Sequence, residues 1–317
     1  MIALNILLLV VGFVVLVKGA DCFVEGSSNL AKALGVSTLI IGLTVVAFGT
    51  SAPECAVSAI ASFKGNSDIS IGNVVGSNIC NLLLVLGSAG LFGNLVCKKK
   101  IIERDVMYSL MSYVVLIIMC LSPMLMGNET GIISRTNGAL LLCFLIIYVY
   151  SLVIEAKSSR KEKQPEEKRK LTFKDIIFIV LGLVAIVGGG ELVVNSAKEI
   201  AREIGISDRV IALTIVAIGT SLPELVTAVM AVKKGEHDMA IGNVIGSNIF
   251  NIFMILGLSA TINPLVFNVS SFIDMLIMFV AGISIFLLLT FRKKIDRKGS
   301  ILLLSLYIAY MIFLAVR

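Results

Sequence analysis

Residues 41–54 read IGLTVVAFGTSAPE, and residues 211–224 read IALTIVAIGTSLPE. The two stretches align without gaps and each ends on a glutamate, Glu54 and Glu224. A second pair, SIGNVVGSNICN over 70–81 and AIGNVIGSNIFN over 240–251, lies at the same spacing of 170 positions. That offset also joins Gly12 to Gly182, Gly19 to Gly189, Gly35 to Gly205 and Ser37 to Ser207. Apolar segments resemble one another by composition alone, but identical polar residues in one register do not arise that way. The chain is a duplicated unit.

The solvent of that unit follows from composition. Of 317 residues, 57% are hydrophobic and 15% charged, with a mean hydropathy of +1.00, where a soluble domain carries about 25% charged residues. Apolar runs of roughly 20 residues, each able to cross a hydrocarbon layer of about 30 Å as a helix, recur throughout. They are predicted at Leu4–Ala20, Leu39–Ala61, Ile71–Phe92, Val106–Met126, Ile132–Ile154, Phe173–Ala197, Val210–Val232, Ala240–Ile262, Phe272–Phe291 and Ile301–Val316. The alternating strands of a β-barrel are absent from the sequence. The expected fold is an all-α polytopic membrane protein of about ten transmembrane helices. Five spans per half is an odd number, so the second copy enters the membrane inverted relative to the first. The expected organisation is a first five-helix repeat over 1–155, a cytoplasmic linker over 156–171 and a second, inverted repeat over 172–317. The first apolar run lacks a basic start and a small-residue cleavage site, which argues for a retained span over a removable signal peptide.

Lys and Arg set the expected orientation. With both termini extracytoplasmic, the inner loops collect Lys98, Lys99, Lys100, Arg104, the run from Lys157 to Lys170, and Arg292 through Lys298, as the positive-inside rule requires. The net charge of +6 is thus topological, and a nucleic-acid partner is not expected, because the basic residues are scattered over short loops. The six cysteines show no CxxC or Cys/His spacing, and the one histidine, His237, falls in a predicted loop. A zinc site is not expected.

Glu54 and Glu224 sit inside apolar runs, where a charged side chain costs at least about 2.5–3.5 kcal/mol and needs a partner, a cavity or a bound ion. Gly49 and Pro53, with Gly219 and Pro223, weaken the helix beside them, since proline lacks an N–H and displaces an earlier carbonyl. Carbonyls of Ala47 or Thr50, and of Ala217 or Thr220, are then expected to be freed toward a cation. The hydroxyls of Thr50, Ser51, Thr220 and Ser221 complete an all-oxygen set, suited to a hard cation such as Ca²⁺ with its six to eight oxygen ligands. The second motif adds Ser77 and Asn81 on one helix face, with Ser247 and Asn251 as twins. Taken singly, a GxxxP is a helix kink, and Gly72 with Gly76 is a helix-packing pattern. Their duplication with a glutamate in each copy points to function. Lys18, Asp21, Glu25 and Glu191 are better read as interfacial or paired charges than as an ion pathway.

GTSAPE with GNVVGSNICN, and GTSLPE with GNVIGSNIFN, resemble the two α-repeats of the cation/calcium exchanger superfamily, nearest to its prokaryotic Na⁺/Ca²⁺ exchanger branch. The resemblance spans essentially the whole chain. It implies ten helices, with the second, third, seventh and eighth packed around the ions and the first and sixth sliding across them. It implies Ca²⁺ held by Glu54 and Glu224 with the carbonyls of Thr50 and Thr220. One Na⁺ site would use Glu54, Ser77, Ala217, Thr220 and Ser221, and its twin Ala47, Thr50, Ser51, Glu224 and Ser247.

This chain departs from some exchangers of that type in carrying Asn251 where they carry an aspartate, so both central amides, Asn81 and Asn251, are neutral. The expected activity is secondary active antiport of Ca²⁺ against Na⁺, with H⁺/Ca²⁺ antiport as the alternative and a cation channel behind it. An enzyme is not expected, for want of a Ser/His or Cys/His set. No cofactor is called for, because Ca²⁺ and Na⁺ are substrates. The expected setting is the cell membrane, with the lipid bilayer as surroundings and a single chain as the working unit.

Overall fold

A computed structural model describes residues 2–162, 170–206, 215 and 217–317 of the chain. In chain order the helices are α1 (Ile2–Leu34), α2 (Thr38–Thr50), α3 (Ala52–Phe63), α4 (Ser67–Phe92), α5 (Lys99–Leu121), α6 (Arg135–Glu162), α7 (Phe173–Glu203), α8 (Leu222–Lys233), α9 (His237–Ile262), α10 (Val269–Arg292) and α11 (Arg297–Val316). Among the described residues eight of these are long and apolar enough to cross a bilayer, and α2 with α3, bent by 47° at their junction, pass the same test together, as a broken span or a re-entrant pair. The predicted seventh span begins on residues 210–214 and 216, which lie outside the described residues; its remainder is a turn at Ala217–Gly219 followed by α8. The architecture is the inverted pair of helical repeats read from the sequence.

Boundaries differ from expectation in informative ways. The first helix does not end near Ala20 but runs to Leu34, because Ser27, Ser28 and Asn29 are buried within the protein rather than exposed to lipid. α6 continues through Glu155 to Glu162, so the start of the expected linker is helical, and residues 163–169 lie outside the description. His237 opens α9 instead of lying in a loop. Twin glycines end twin helices: Gly65 after α3 and Gly235 after α8 have φ of +73° and +79°, the left-handed conformation that only glycine adopts freely.

α1 and α7 run along one another over most of their length. A Cβ on Gly19 would come within 2.9 Å of the Gly182 carbonyl, and one on Gly182 within 2.9 Å of that of Gly19; Gly12 and Gly189 face each other in the same way at 3.2 and 3.0 Å. Backbone contact this close packs the two helices as a tight pair. The cross-pairing of the repeat glycines, 12 with 189 and 19 with 182, is what a twofold axis between the halves requires.

Two short antiparallel sheets tie the halves. β1 (Leu95–Val96) pairs with β4 (Lys294–Ile295), and β2 (Thr130–Ile133) with β3 (Leu265–Asn268). Each joins one strand from either half, and the twofold exchanges them. α4 and α9 lie at the centre, and 94% of the apolar window of α9 is buried.

Candidate cation site

The site forms where two helices break. At Ser51 the backbone leaves helical geometry (ψ 5°), α3 restarts at Ala52 with Pro53 in its first turn, and Glu54 follows. The second half repeats this at Ser221 (ψ 4°), Pro223 and Glu224. Proline is tolerated there because a first-turn N–H has no helical partner to lose. The Ser51 carbonyl accepts from the Cys55 N–H at 3.1 Å and the Ser221 carbonyl from the Leu225 N–H at 3.0 Å. Among the described residues, no backbone N–H is directed at the carbonyls of Thr50 and Thr220.

Of the two carbonyls expected to be candidates in the first half, Ala47 or Thr50, that of Ala47 stays bonded. Its oxygen accepts from the Ser51 N–H at 3.1 Å, the Thr50 hydroxyl at 3.4 Å and the Ser247 hydroxyl at 3.4 Å. The helix stays wound through Ala47, and the break falls one turn later.

Glu54 and Glu224 are both fully buried. Ser51 Oγ donates to Glu224 Oε1 at 3.0 Å, Ser77 Oγ donates to Glu54 Oε1 at 3.4 Å, and Ser77 and Ser221 share a hydrogen bond of 3.2 Å. Among the described residues no Lys, Arg or His pairs with either glutamate. One oxygen of each, Oε2, has no hydrogen-bond partner, and neither do the buried Oδ1 atoms of Asn81 and Asn251. Two buried carboxylates without a counter-charge are costly to ionise in isolation; a cation reverses that cost.

The amides are held in place from the opposite half. Asn81 Nδ2 donates to Asn248 Oδ1 at 3.0 Å, and Asn251 Nδ2 to Asn78 Oδ1 at 2.9 Å. Asn248 in turn donates to the Tyr113 hydroxyl at 2.9 Å. Asn73 donates to the Glu54 carbonyl at 3.1 Å and Asn243 to that of Glu224 at 3.4 Å, while Thr50 Oγ1 reaches Asn243 Oδ1 at 3.1 Å. Sequence reasoning passed over Asn73, Asn78, Asn243, Asn248 and Tyr113. The four asparagines lay within the repeated GN and GSN motifs, so the signal was on view; Tyr113 had none, standing far away in sequence.

Of the predicted residues, Thr50, Ser51, Glu54, Ser77, Ser221, Glu224 and Ser247 are thus tied together by hydrogen bonds across the halves, and Asn81 and Asn251 belong to a buried amide network with Asn78 and Asn248. Thr220 lines a cavity of about 670 Å³ together with Ser77, Pro53, Pro223, Glu191 and Asp68. Ala217 opens its helical turn. The described residues hold no group of three or more His, Cys, Asp or Glu side chains suited to a metal. The arrangement offers carboxylate, amide, hydroxyl and carbonyl oxygens only, the donor set of hard cations.

Comparison with known proteins agrees. The sodium/calcium exchanger protein family matches residues 4–154 and 174–316. The chain is 37% identical to the putative antiporter CaxA of Alkalimonas amylolytica, over 96% of each chain. It is 36% identical to the sodium/calcium exchanger MaX1 of Methanosarcina acetivorans, over 99% of each. The fold is similar to that of the sodium-calcium exchanger NCX_Mj soaked with Na⁺ and Sr²⁺, with a TM-score of 0.84, 33% identity, and coverage of 98% of this chain and 99% of that one.

Proposed function

This chain belongs to the sodium/calcium exchanger protein family, a multi-pass membrane protein of an ion-exchanging family, and from that premise we propose that it is a secondary active antiporter exchanging Ca²⁺ for Na⁺ by alternating access. The observation that carries the reading is the pair of fully buried glutamates, each with one carboxylate oxygen that has no hydrogen-bond partner. Ca²⁺ binds Glu54 and Glu224 with the carbonyls of Thr50 and Thr220. Na⁺ binds Glu54, Ser77, Ala217, Thr220 and Ser221, and in the twin site Ala47, Thr50, Ser51, Glu224 and Ser247, where it competes with existing hydrogen bonds for the Ala47 oxygen.

Both ions draw on the same two carboxylates, so they compete. Ionised, the pair carries a charge of −2, which one Ca²⁺ or two Na⁺ neutralise. An empty site leaves that charge in a low-dielectric interior, which opposes the conformational crossing and suppresses leak. Repeats 1–155 and 172–317 are joined by a cytoplasmic segment with both termini extracytoplasmic. In that orientation the cavity, flanked by Asp68 and Lys198, opens outward.

⁴⁵Ca²⁺ uptake into proteoliposomes tests the reading. Uptake driven by internal Na⁺ and absent with internal K⁺ supports it. Uptake driven only by a proton gradient favours the second reading, H⁺/Ca²⁺ antiport, for which the neutral Asn251 speaks because it leaves no third carboxylate for a further Na⁺.

A further inference from the structure

Lys234, just past the end of α8, sits on α1: its Nζ is 2.9 Å from Asp21 Oδ1 and 3.2 Å from Glu25 Oε2. Burial works against its charge, but the two carboxylates outweigh it and push the lysine pKa up. Beside it, the Ser28 hydroxyl donates to the Glu236 carboxylate. Together these contacts tie α8 to α1 at one end of the molecule, where the two helices pack.

The repeat places Lys64 where the second half has Lys234, and Glu191 where the first half has Asp21. At the opposite end, however, the equivalent contact is missing. Among the described residues neither Lys64 nor Glu191 has an ion-pair partner; Lys64 is exposed, and Glu191 lines the cavity that stands between α7 and α3. Asp21 and Glu191 ride on the same closely packed α1–α7 pair, which we take to move as one body. Glu191 lies level with Gly12, while Asp21 lies between Gly19 and Gly26, which face Gly182 and Ile179.

Exchanging the halves about the twofold turns the Lys234–Asp21 contact into a Lys64–Glu191 contact. We propose that Lys64 and Glu191 form the outer latch of the exchange cycle, made only when the inner latch of Lys234 with Asp21 and Glu25 is broken. That one body carries both acidic partners, so a displacement that closes one end withdraws the carboxylate from the other. The latches are unequal: Asn195 stands at the repeat position of Glu25, so the outer latch has one carboxylate where the inner has two. That imbalance favours the arrangement seen here, open at the Glu191 end. The inference rests on the alternating-access reading.

Two measurements on the full-length protein in proteoliposomes test it. The first compares Na⁺-driven ⁴⁵Ca²⁺ exchange in Lys64→Glu, Glu191→Lys and the double swap. Each single change is expected to slow exchange about fivefold, and the swap to restore it to within about twofold of wild type. Because the two side chains are not paired in the present state, a purely structural role gives no rescue. Single variants with wild-type rates, or a swap no better than the singles, overturn the proposal.

The second needs no transport. Cysteines introduced as Lys64→Cys and Glu191→Cys are crosslinked with a short bifunctional thiol reagent and the linked peptides quantified by mass spectrometry. The yield is expected to rise severalfold when Lys234→Gln breaks the inner latch, and an unchanged yield overturns the proposal. Should the wild type fail to exchange Ca²⁺ at all, the antiport reading falls, while the crosslink still judges the latch.

Discussion

Gly242 and Gly246 on α9 and Gly72 and Gly76 on α4 occupy the same positions of the repeat, yet their surroundings are opposite. A Cβ on Gly242 would lie 2.8 Å from the Leu39 carbonyl, and one on Gly246 2.7 Å from the Ala47 Cβ. Gly72 and Gly76 line the cavity, and nothing among the described residues comes within 4 Å of a Cβ there; residues 209, 212 and 213, the repeat counterparts of Leu39, Gly42 and Leu43, lie outside the described residues. The small-xxx-small pattern expected to mean helix packing is closely packed on α9, and on α4 it lines the cavity. Two nearly identical sequences thus differ in that only the first copy is among the residues lining the cavity. The side chains around the aligned motifs follow suit. Phe250 is packed edge-on by Phe48 at 6.1 Å and Tyr148 at 6.4 Å, while its repeat counterpart is the much smaller Cys80.

The comparison can be tested at four depths. The deepest is the shared charge: Glu54→Gln and Glu224→Gln should each lower ⁴⁵Ca²⁺ exchange by about 100-fold or more, since removing one member of a buried charged set costs about 3–5 kcal/mol. Equal losses are expected, because the two halves form one site; a loss confined to one variant would mean two independent sites.

Next comes the packing asymmetry. Gly246→Ala should destabilise the protein by about 2 kcal/mol through overpacking, whereas Gly76→Ala should leave the melting temperature in detergent nearly unchanged. Equal melting temperatures for the two would deny the difference between the packed and the cavity-lining glycines.

A third test targets the amide braces. Asn251→Asp and Asn81→Asp each replace a donor with an acceptor facing another amide oxygen, Asn78 Oδ1 or Asn248 Oδ1, at an expected cost of about 1–3 kcal/mol. Added Ca²⁺ should recover more of the melting temperature than it adds to wild type, as the new carboxylates lie beside the proposed site.

The smallest effect separates two outer supports. Asn248 donates to the Tyr113 hydroxyl at 2.9 Å, while Asn78 faces the Met278 sulfur at 3.6 Å. Tyr113→Phe should cost about 1 kcal/mol and Met278→Leu less, as measured by thermal unfolding.

Much of this was legible in the chain. Glu54 and Glu224 announced themselves as carboxylates in apolar runs, and Pro53 and Pro223 marked the breaks beside them. The carbonyl freed at each break is that of Thr50 or Thr220, since Ala47 remains within the helical ladder. Which carbonyl a proline exposes depends on where the chain turns, and a GxxxP pattern leaves that open by a residue or two. Asp21, Glu25 and Lys234 show the same limit. Their spacing in sequence, more than 200 residues, carries no periodic signal, so pairing could be expected for Asp21 and Glu25 without a partner being named.

By itself, the sequence determined the duplication, the inverted helical repeats and the oxygen-rich polar set, because these follow from register, hydropathy and residue chemistry repeated at a fixed offset. The tertiary structure decided which of the twin helices lines the cavity, how Asn78 and Asn248 aim the central amides, and which lysine holds its carboxylates. The physical reason is that matched repeats prescribe both lysine contacts alike, while the packing of the two halves forms the Lys234 contact and leaves Lys64 and Glu191 without an ion pair among the described residues.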